Sequence, residues 1–443
     1  MTKKGKKKID VTIDFGTGSK RPIGSEMEES AKKKAPNKIS KDEKVEKKEK
    51  KIESPKEIVG KRQGEPAQAP TIEVTPQSSK HTKDTFNKNQ ETSNKNIDVK
   101  SKSSKSLSKE AKVELELGKG LDIGTANLIS AVQNTDGEVI IKTQRNAFID
   151  IEPDDFTRNM LTKLNVQYVV INGKMVVIGD PAFELANIFN RETRRPMADG
   201  LISPEEMDAM PIEKLLIESI LGPVQEPGEI CYFSVPAEPI DSEVNVVYHR
   251  GVFETLLKKL GYNAKPLVEG HAVVFSELAE DEFTGIGISC GGGMFNICVA
   301  YKTIPTVTFS TSRGGDWIDR NAGRALGIKA SKATAIKEKG VNILNPRNRE
   351  EEAIAIYYRE LIRYTLTNIK QRFESKKDVP SFPDPIDIVF AGGTSLIGGF
   401  IDVVRDEFEK IKFPIEVKNI RRAEEPLHSV AKGCLVAAMA DYS

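Results

Sequence analysis

The sequence predicts an α/β protein made of two related halves with a cleft between them, preceded by a long basic tail. Three observations carry this. Strand-like β-branched runs such as "VQYVVING" and "KMVVIG" alternate with helical stretches such as "MPIEKLLIESILG" and "VYHRGVFETLLKKLG". That mixture implies an α/β class. A unit of strand, glycine turn, strand, turn and strand occurs twice, about 165 residues apart, as "GLDIGTANLISAVQNTDGEVIIKTQ" and "GIGISCGGGMFNICVAYKTIPTVTFST". Charge divides the chain at about residue 112. Residues 1–112 carry 29 Lys and Arg against 17 Asp and Glu, about +12, and the rest carries 37 against 48, about −11.

The tail, residues 1–112, has no Cys, Trp or Tyr, and its only aromatic ring residues beside His81 are Phe15 and Phe86. Runs such as "KDEKVEKKEKKIESPKE" cannot bury enough apolar surface to offset chain entropy, so the tail is expected to be disordered. No apolar stretch of secretory-signal type follows its lysines, and no window approaches the roughly 20 apolar residues of a membrane span. "VTIDFGTGSK" at 11–20 looks like a phosphate turn, but the following "RPIGSEMEESAKKK" promises no return strand. It reads as a coincidence of composition or, more sharply, as a short motif that docks on a partner or on this protein's own body. Cys231, Cys290, Cys298 and Cys434 are scattered, with no CxxC, and read as reduced core thiols of a cytosolic protein.

The body divides into a first half, 113–282, with a small insertion at about 149–200, and a second half, 283–443. Its longest helical stretch, "EEAIAIYYRELIRYTLTNIKQRF", places Ile354, Tyr357, Leu361, Tyr364 and Thr365 on one face by three- and four-residue spacing.

A tight glycine turn between two strands leaves backbone N–H groups pointing outward, and glycine lets the chain approach a phosphate closely. Gly124, Thr125, Ala126 and Asn127 form one candidate cradle, with Thr125 adding a hydroxyl. Gly291, Gly292 and Gly293 form the other. Asp122, just before the first turn, can hold a hydrated Mg²⁺ against phosphates. In "IDIVFAGGTSLIGGFIDVV" an apolar strand runs into Gly392, Gly393 and Thr394, where a base or ribose can approach the backbone closely.

As a set, these motifs resemble those of the actin, DnaK-type chaperone and sugar kinase ATPase superfamily, and most of all the bacterial actins. "LDIGTANLIS" is similar to the first phosphate motif of the MreB type. "RRPMADGLIS", "SVPAEP", "STSRGGDWID", "AGGTSLIGGF" and "EEPLHSVAKGCLVAA" follow in the family's order, and "VIGDPAFE" and "IVFAGG" are comparably similar to magnetosome-filament actins. The likeness covers about 115–443. It implies an actin-like ATPase fold of two duplicated, ribonuclease H-like halves around a nucleotide cleft, with ATP and Mg²⁺ as ligands. It implies self-association into nucleotide-dependent filaments serving cell shape or intracellular organisation. It further implies that Glu269, in "LVEGHAVV", orients the attacking water, and that Lys337 and Glu338 flank the adenosine with Gly392, Gly393 and Thr394.

Departures from the family pattern weaken the expected catalysis. Ser289 stands where the second phosphate motif usually has Asp, Met294 where it has Thr, and Gly270 where Pro follows the glutamate. The glycine cradle needs only backbone, whereas groups that stabilise charge are each worth roughly 10²–10³ in rate. Slow ATP hydrolysis is therefore expected, with a non-hydrolysing ATP-binding scaffold or a chaperone-like ATPase as alternatives. A chaperone would need a substrate domain after the last helix, and a sugar kinase would need a sugar-binding insertion. The body is expected to be cytoplasmic. The basic tail could tether it to an anionic membrane surface, nucleic acid or an acidic protein.

Overall fold

The computed structural model describes residues 11–14, 20–22 and 115–442, apart from 167, 187, 207 and 376–380. The disorder expected of the tail otherwise falls on residues outside the described ones. Two short strands, β1 (Val11–Asp14) and β2 (Lys20–Pro22), pair antiparallel with each other. This corrects the reading that nothing after "IDFGTGSK" supplies a return strand. A three-residue strand of Lys, Arg and Pro carries no β-branched signal, and proline is tolerated at a sheet edge.

The first half opens with β3 (Lys119–Ile123), β4 (Asn127–Gln133) and β5 (Val139–Arg145), an antiparallel meander. The insertion follows as β6 (Phe148–Ile151), α1 (Asp155–Lys163), β7 (Tyr168–Ile171), β8 (Lys174–Ile178) and α2 (Asp180–Ala186). Asn172 and Gly173, both with positive φ, make the tight turn between β7 and β8 that such a hairpin favours. Its sheet runs β2-β1-β7-β8-β6, so β1 adds itself to the free edge of β7, with Thr12 opposite Val170. The strand pairing of 11–14 is in line with the "docks on its own body" reading, while the turn at 15–19 lies outside the described residues.

A second tight hairpin joins β9 (Met197–Ala198) to β10 (Leu201–Ile202) through Asp199 and Gly200, again both at positive φ. Then come α3 (Ala209–Leu221), β11 (Ile230–Val235), α4 (Val246–Lys259), β12 (Asn263–Val268) and α5 (Glu269–Glu277). The second half holds β13 (Gly285–Cys290), β14 (Phe295–Tyr301), β15 (Ile304–Thr311), α6 (Gly315–Leu326), α7 (Ala330–Lys337) and α8 (Arg349–Glu374). It ends with β16 (Ile386–Ala391), α9 (Phe400–Ile411), β17 (Val417–Arg422) and α10 (Ser429–Ala440).

The duplication heard in the sequence is one of topology. The first half's sheet runs β12-β11-β3-β4-β5 and the second's β17-β16-β13-β14-β15, each with a central strand that pairs parallel with one neighbour and antiparallel with the other. β13 and β16 are buried along their whole length, as parallel strands covered on both faces must be. Two helices cross between the halves. α5 leaves the first half and packs on β13 and β14, while α10 returns and packs on β3 and β11. They touch through glycine: a Cβ on Gly433 would lie 1.8 Å from the Ala272 carbonyl oxygen. Gly270 has the same cause, since a Cβ there would lie 2.7 Å from the backbone nitrogen of Cys298. All four cysteines are buried and free. Among the described residues no helix is long and apolar enough to cross a membrane.

Candidate functional site

The two glycine turns meet. Asn127 accepts from the Gly124 N–H at 3.1 Å and closes the first. Met294 accepts from the Gly291 N–H at 2.9 Å and closes the second. A Cβ built on Gly292 would lie 3.7 Å from the Ala126 Cβ, so the cradles face each other across the cleft. Among the described residues, the N–H groups of Thr125, Ala126, Gly292 and Gly293 have no hydrogen-bond partner. Unpaired backbone donors grouped at one point are suited to an anion.

Below the cradles lie two carboxylates. Asp122, near the end of β3, accepts at 2.8 Å from Ser234 Oγ, which itself accepts from the Ile123 N–H at 2.8 Å. Glu269, the first residue of α5, accepts at 2.8 Å from Ser289 Oγ. Burial pushes both carboxyls above the ordinary range, and the charge of Asp122 raises Glu269 further, while Ser289 and Asn296 pull it back. Two acids held this way cannot both ionise comfortably without a cation. Among the described residues no cluster of three acidic, His or Cys side chains could hold a metal alone. A cation here would have to arrive with ligands of its own.

The second half supplies a side wall. Thr394 Oγ1 donates to the Gly291 carbonyl at 2.9 Å, and the Gly315 and Asp316 N–H groups donate to the Gly291 and Gly292 carbonyls at 3.1 and 2.8 Å. Lys337 Nζ reaches Asp319 at 2.8 Å and the Gly315 carbonyl at 3.3 Å. Gly392 sits at φ +85° with its Cα pressed on the Cys290 backbone, where a Cβ would fall 2.5 Å from the carbonyl oxygen. A Cβ on Gly393 would meet only Leu427, at 3.7 Å, which leaves that backbone approachable. Glu338 caps α7 with its side chain exposed and bonded to none of the described residues.

The structure thus gathers Asp122, Gly124–Asn127, Glu269, Gly291–Gly293, Lys337 and Gly392–Thr394 around one cleft and leaves Glu338 exposed at the end of α7. It also gives the departures a physical role. Ser289 holds Glu269. Met294 does not face the cradle: it is buried against Gly200, where a Cβ would fall 2.7 Å from its Cγ, and it fastens the second loop to the β9–β10 turn. The Gly200 N–H in turn donates to Thr125 Oγ1 at 3.1 Å, which leaves that hydroxyl's proton free. Sequence reasoning missed Ser234, Asn296, Asn146 and Arg195. Asn146 Nδ2 holds the Gly124 carbonyl at 3.0 Å. The "SVPAEP" motif, which contains Ser234, and the "RRPMADGLIS" motif, which contains Arg195, were the available signals for those two.

A doubled sheet, two crossing helices and paired glycine cradles over a carboxylate pair define an actin-like ATPase fold. The chain matches the sequence profile of the Volactin family over residues 117–438 and belongs to that family. It is similar in structure to the MamK double helical filament, at 18% identity and TM-score 0.57, covering 73% of this chain and 98% of that one. It is also similar to MreB5 of Spiroplasma citri bound to AMPPNP, at 14% identity and TM-score 0.51, covering 73% of this chain and 96% of that one. The ADP-bound form of that protein matches at 15% identity and TM-score 0.50, covering 71% and 94%. No curated protein sequence matches the chain.

Proposed function

We propose that this chain binds Mg²⁺·ATP in the cleft and assembles into actin-like filaments in the nucleotide-bound state, hydrolysing ATP slowly. The observation that carries this reading is the set of four unpaired N–H groups, on Thr125, Ala126, Gly292 and Gly293, presented by two loops from opposite halves. A polyphosphate gripped by both loops would tie the halves together, so binding and closure would be one event. Bound Mg²⁺ would neutralise phosphate charge, and Asp122 with Glu269 would hold its waters. Glu269 is also the group placed to orient an attacking water, while Lys337, Gly392, Gly393 and Thr394 offer the wall for adenosine and ribose, with Glu338 beside them. Filament formation is supported by the fold it shares with the MamK filament.

A non-hydrolysing scaffold is the second reading, favoured by Ser289 and Met294. Neither supplies charge at the second cradle: one is spent on Glu269 and the other on packing. High-speed pelleting with and without ATP, run beside phosphate release, separates the readings. Nucleotide-dependent pelleting with slow release supports the first, and pelleting with no release supports the second. Nucleotide-independent solubility defeats both.

A further inference from the structure

Arg195 lies in the first half, on the segment between α2 and β9. Its Nη1 donates to Asp316 Oδ2 at 2.9 Å, across the cleft. Asp316 is the second residue of α6 and is tied to the second cradle, since its N–H donates to the Gly292 carbonyl at 2.8 Å. Its carboxylate oxygens lie 3.8 and 3.9 Å from the place a Cβ on Gly292 would occupy. The guanidinium therefore sits one carboxylate away from a backbone cradle whose N–H groups are unpaired. Among the described residues Asp316 is the only charged partner of Arg195, and both side chains are about two-thirds or more covered. Two further pairs span the same face, Arg320 with Asp199 at 2.9 Å and Lys329 with Glu192 at 2.8 Å, but these are more exposed and contribute little on their own.

We propose that Arg195 is a terminal-phosphate sensor that exchanges its bond to Asp316 for one to the last phosphate of a bound nucleoside triphosphate. The inference rests on the reading of the cleft as a nucleotide site. A terminal phosphate carries more charge than a carboxylate and offers three oxygens in a geometry that suits the planar guanidinium fork. A diphosphate, one group shorter, leaves Arg195 on Asp316. The halves are then joined through phosphate only when the triphosphate is present. The positive charge comes from the first half, opposite the strand end and loop in which Ser289 and Met294 supply none.

Calorimetry on the full-length protein with Mg²⁺ and either AMPPNP or ADP tests this on wild type, Arg195→Gln, Arg195→Lys and Asp316→Asn. A charge-assisted bond lost from one ligand only should cut the AMPPNP-to-ADP preference of Arg195→Gln by roughly tenfold or more. ADP affinity should stay near wild type, which also reports that the variant is folded. Arg195→Lys keeps the charge but not the fork and should fall between. Asp316→Asn removes the competing carboxylate and should raise the preference for AMPPNP. Equal losses for both ligands in Arg195→Gln, or an unchanged ratio, would overturn the proposal, as would a lowered preference in Asp316→Asn. Wild type that binds neither nucleotide would defeat the site reading itself and this inference with it.

Discussion

Ser289 Oγ donates a 2.8 Å hydrogen bond to Glu269 Oε2, so the central strand of the second half grips the first residue of the crossing helix α5. A hydroxyl can do this where a second carboxylate would repel. Asp at 289 would put a third acid beside two that burial and mutual repulsion already push upward. Ser289→Asp should therefore lower the stability of the nucleotide-free protein by about 1–3 kcal/mol, read as a fall in Tm. With Mg²⁺·ATP the added charge faces a cation, and single-turnover phosphate release should speed up with little change in affinity. Release left unchanged or slowed, while Glu269→Ala abolishes it, would mean that catalysis here does not miss that carboxylate.

Glu213 gives a pH test away from the carboxylate pair. It lies buried on α3, and Asn146, which also holds the Gly124 carbonyl, donates to its Oε1 at 3.1 Å. Burial raises its carboxyl from the model-compound value of 4.5 to about 8, with the Asn146 bond opposing. The folded protein then holds a proton between those values that the unfolded chain has lost. This contribution to stability is complete below about 4.5 and disappears as pH rises towards 8. The slope is at most about 1.4 kcal/mol per pH unit. Glu213→Gln removes the proton and keeps the shape, so its Tm should fall less between pH 5 and 8.5 than that of wild type. Asp122 and Glu269 titrate in both proteins, so the difference isolates Glu213. Parallel curves would show that Glu213 does not hold the proton.

The crossing helices provide a stability test. Gly433→Ala forces a Cβ to within 1.8 Å of the Ala272 carbonyl oxygen and 2.5 Å of its carbon, which are backbone atoms that cannot swing aside. The variant should lose about 3 kcal/mol or more, at the upper end of overpacking costs. Gly251→Ala in α4 is the control. Its Cβ would meet nothing within 4 Å, so replacing a helical glycine there should be neutral or gain roughly 0.5–1 kcal/mol. Thermal melts of the pair should diverge in that order, and equal Tm values would contradict the close approach of α5 and α10.

What the sequence exposes is what local chemistry writes into it. The strand, glycine turn and strand units announce themselves because turn and pairing involve neighbours, and the two echoes fold into sheets of the same topology. The cradles and Asp122 lie on those units and are legible with them. Contacts between halves are not. Arg195 and Asp316 are 121 residues apart, and although each lies in a motif of the resemblance, nothing in either motif pairs it with the other until the halves are placed. Met294 shows the same limit from the other side: in the sequence it is a lost phosphate donor, and in the fold it is a packing anchor on Gly200.

The central claim is that nucleotide in this cleft drives assembly. The most direct measurement is electron microscopy of the purified protein, full length and as residues 113–443, with Mg²⁺·ATP and without nucleotide, on samples whose nucleotide occupancy has been determined. The account predicts filaments from both forms with Mg²⁺·ATP and dispersed protein without nucleotide. Dispersed protein at full nucleotide occupancy, or filaments indifferent to nucleotide, would contradict it.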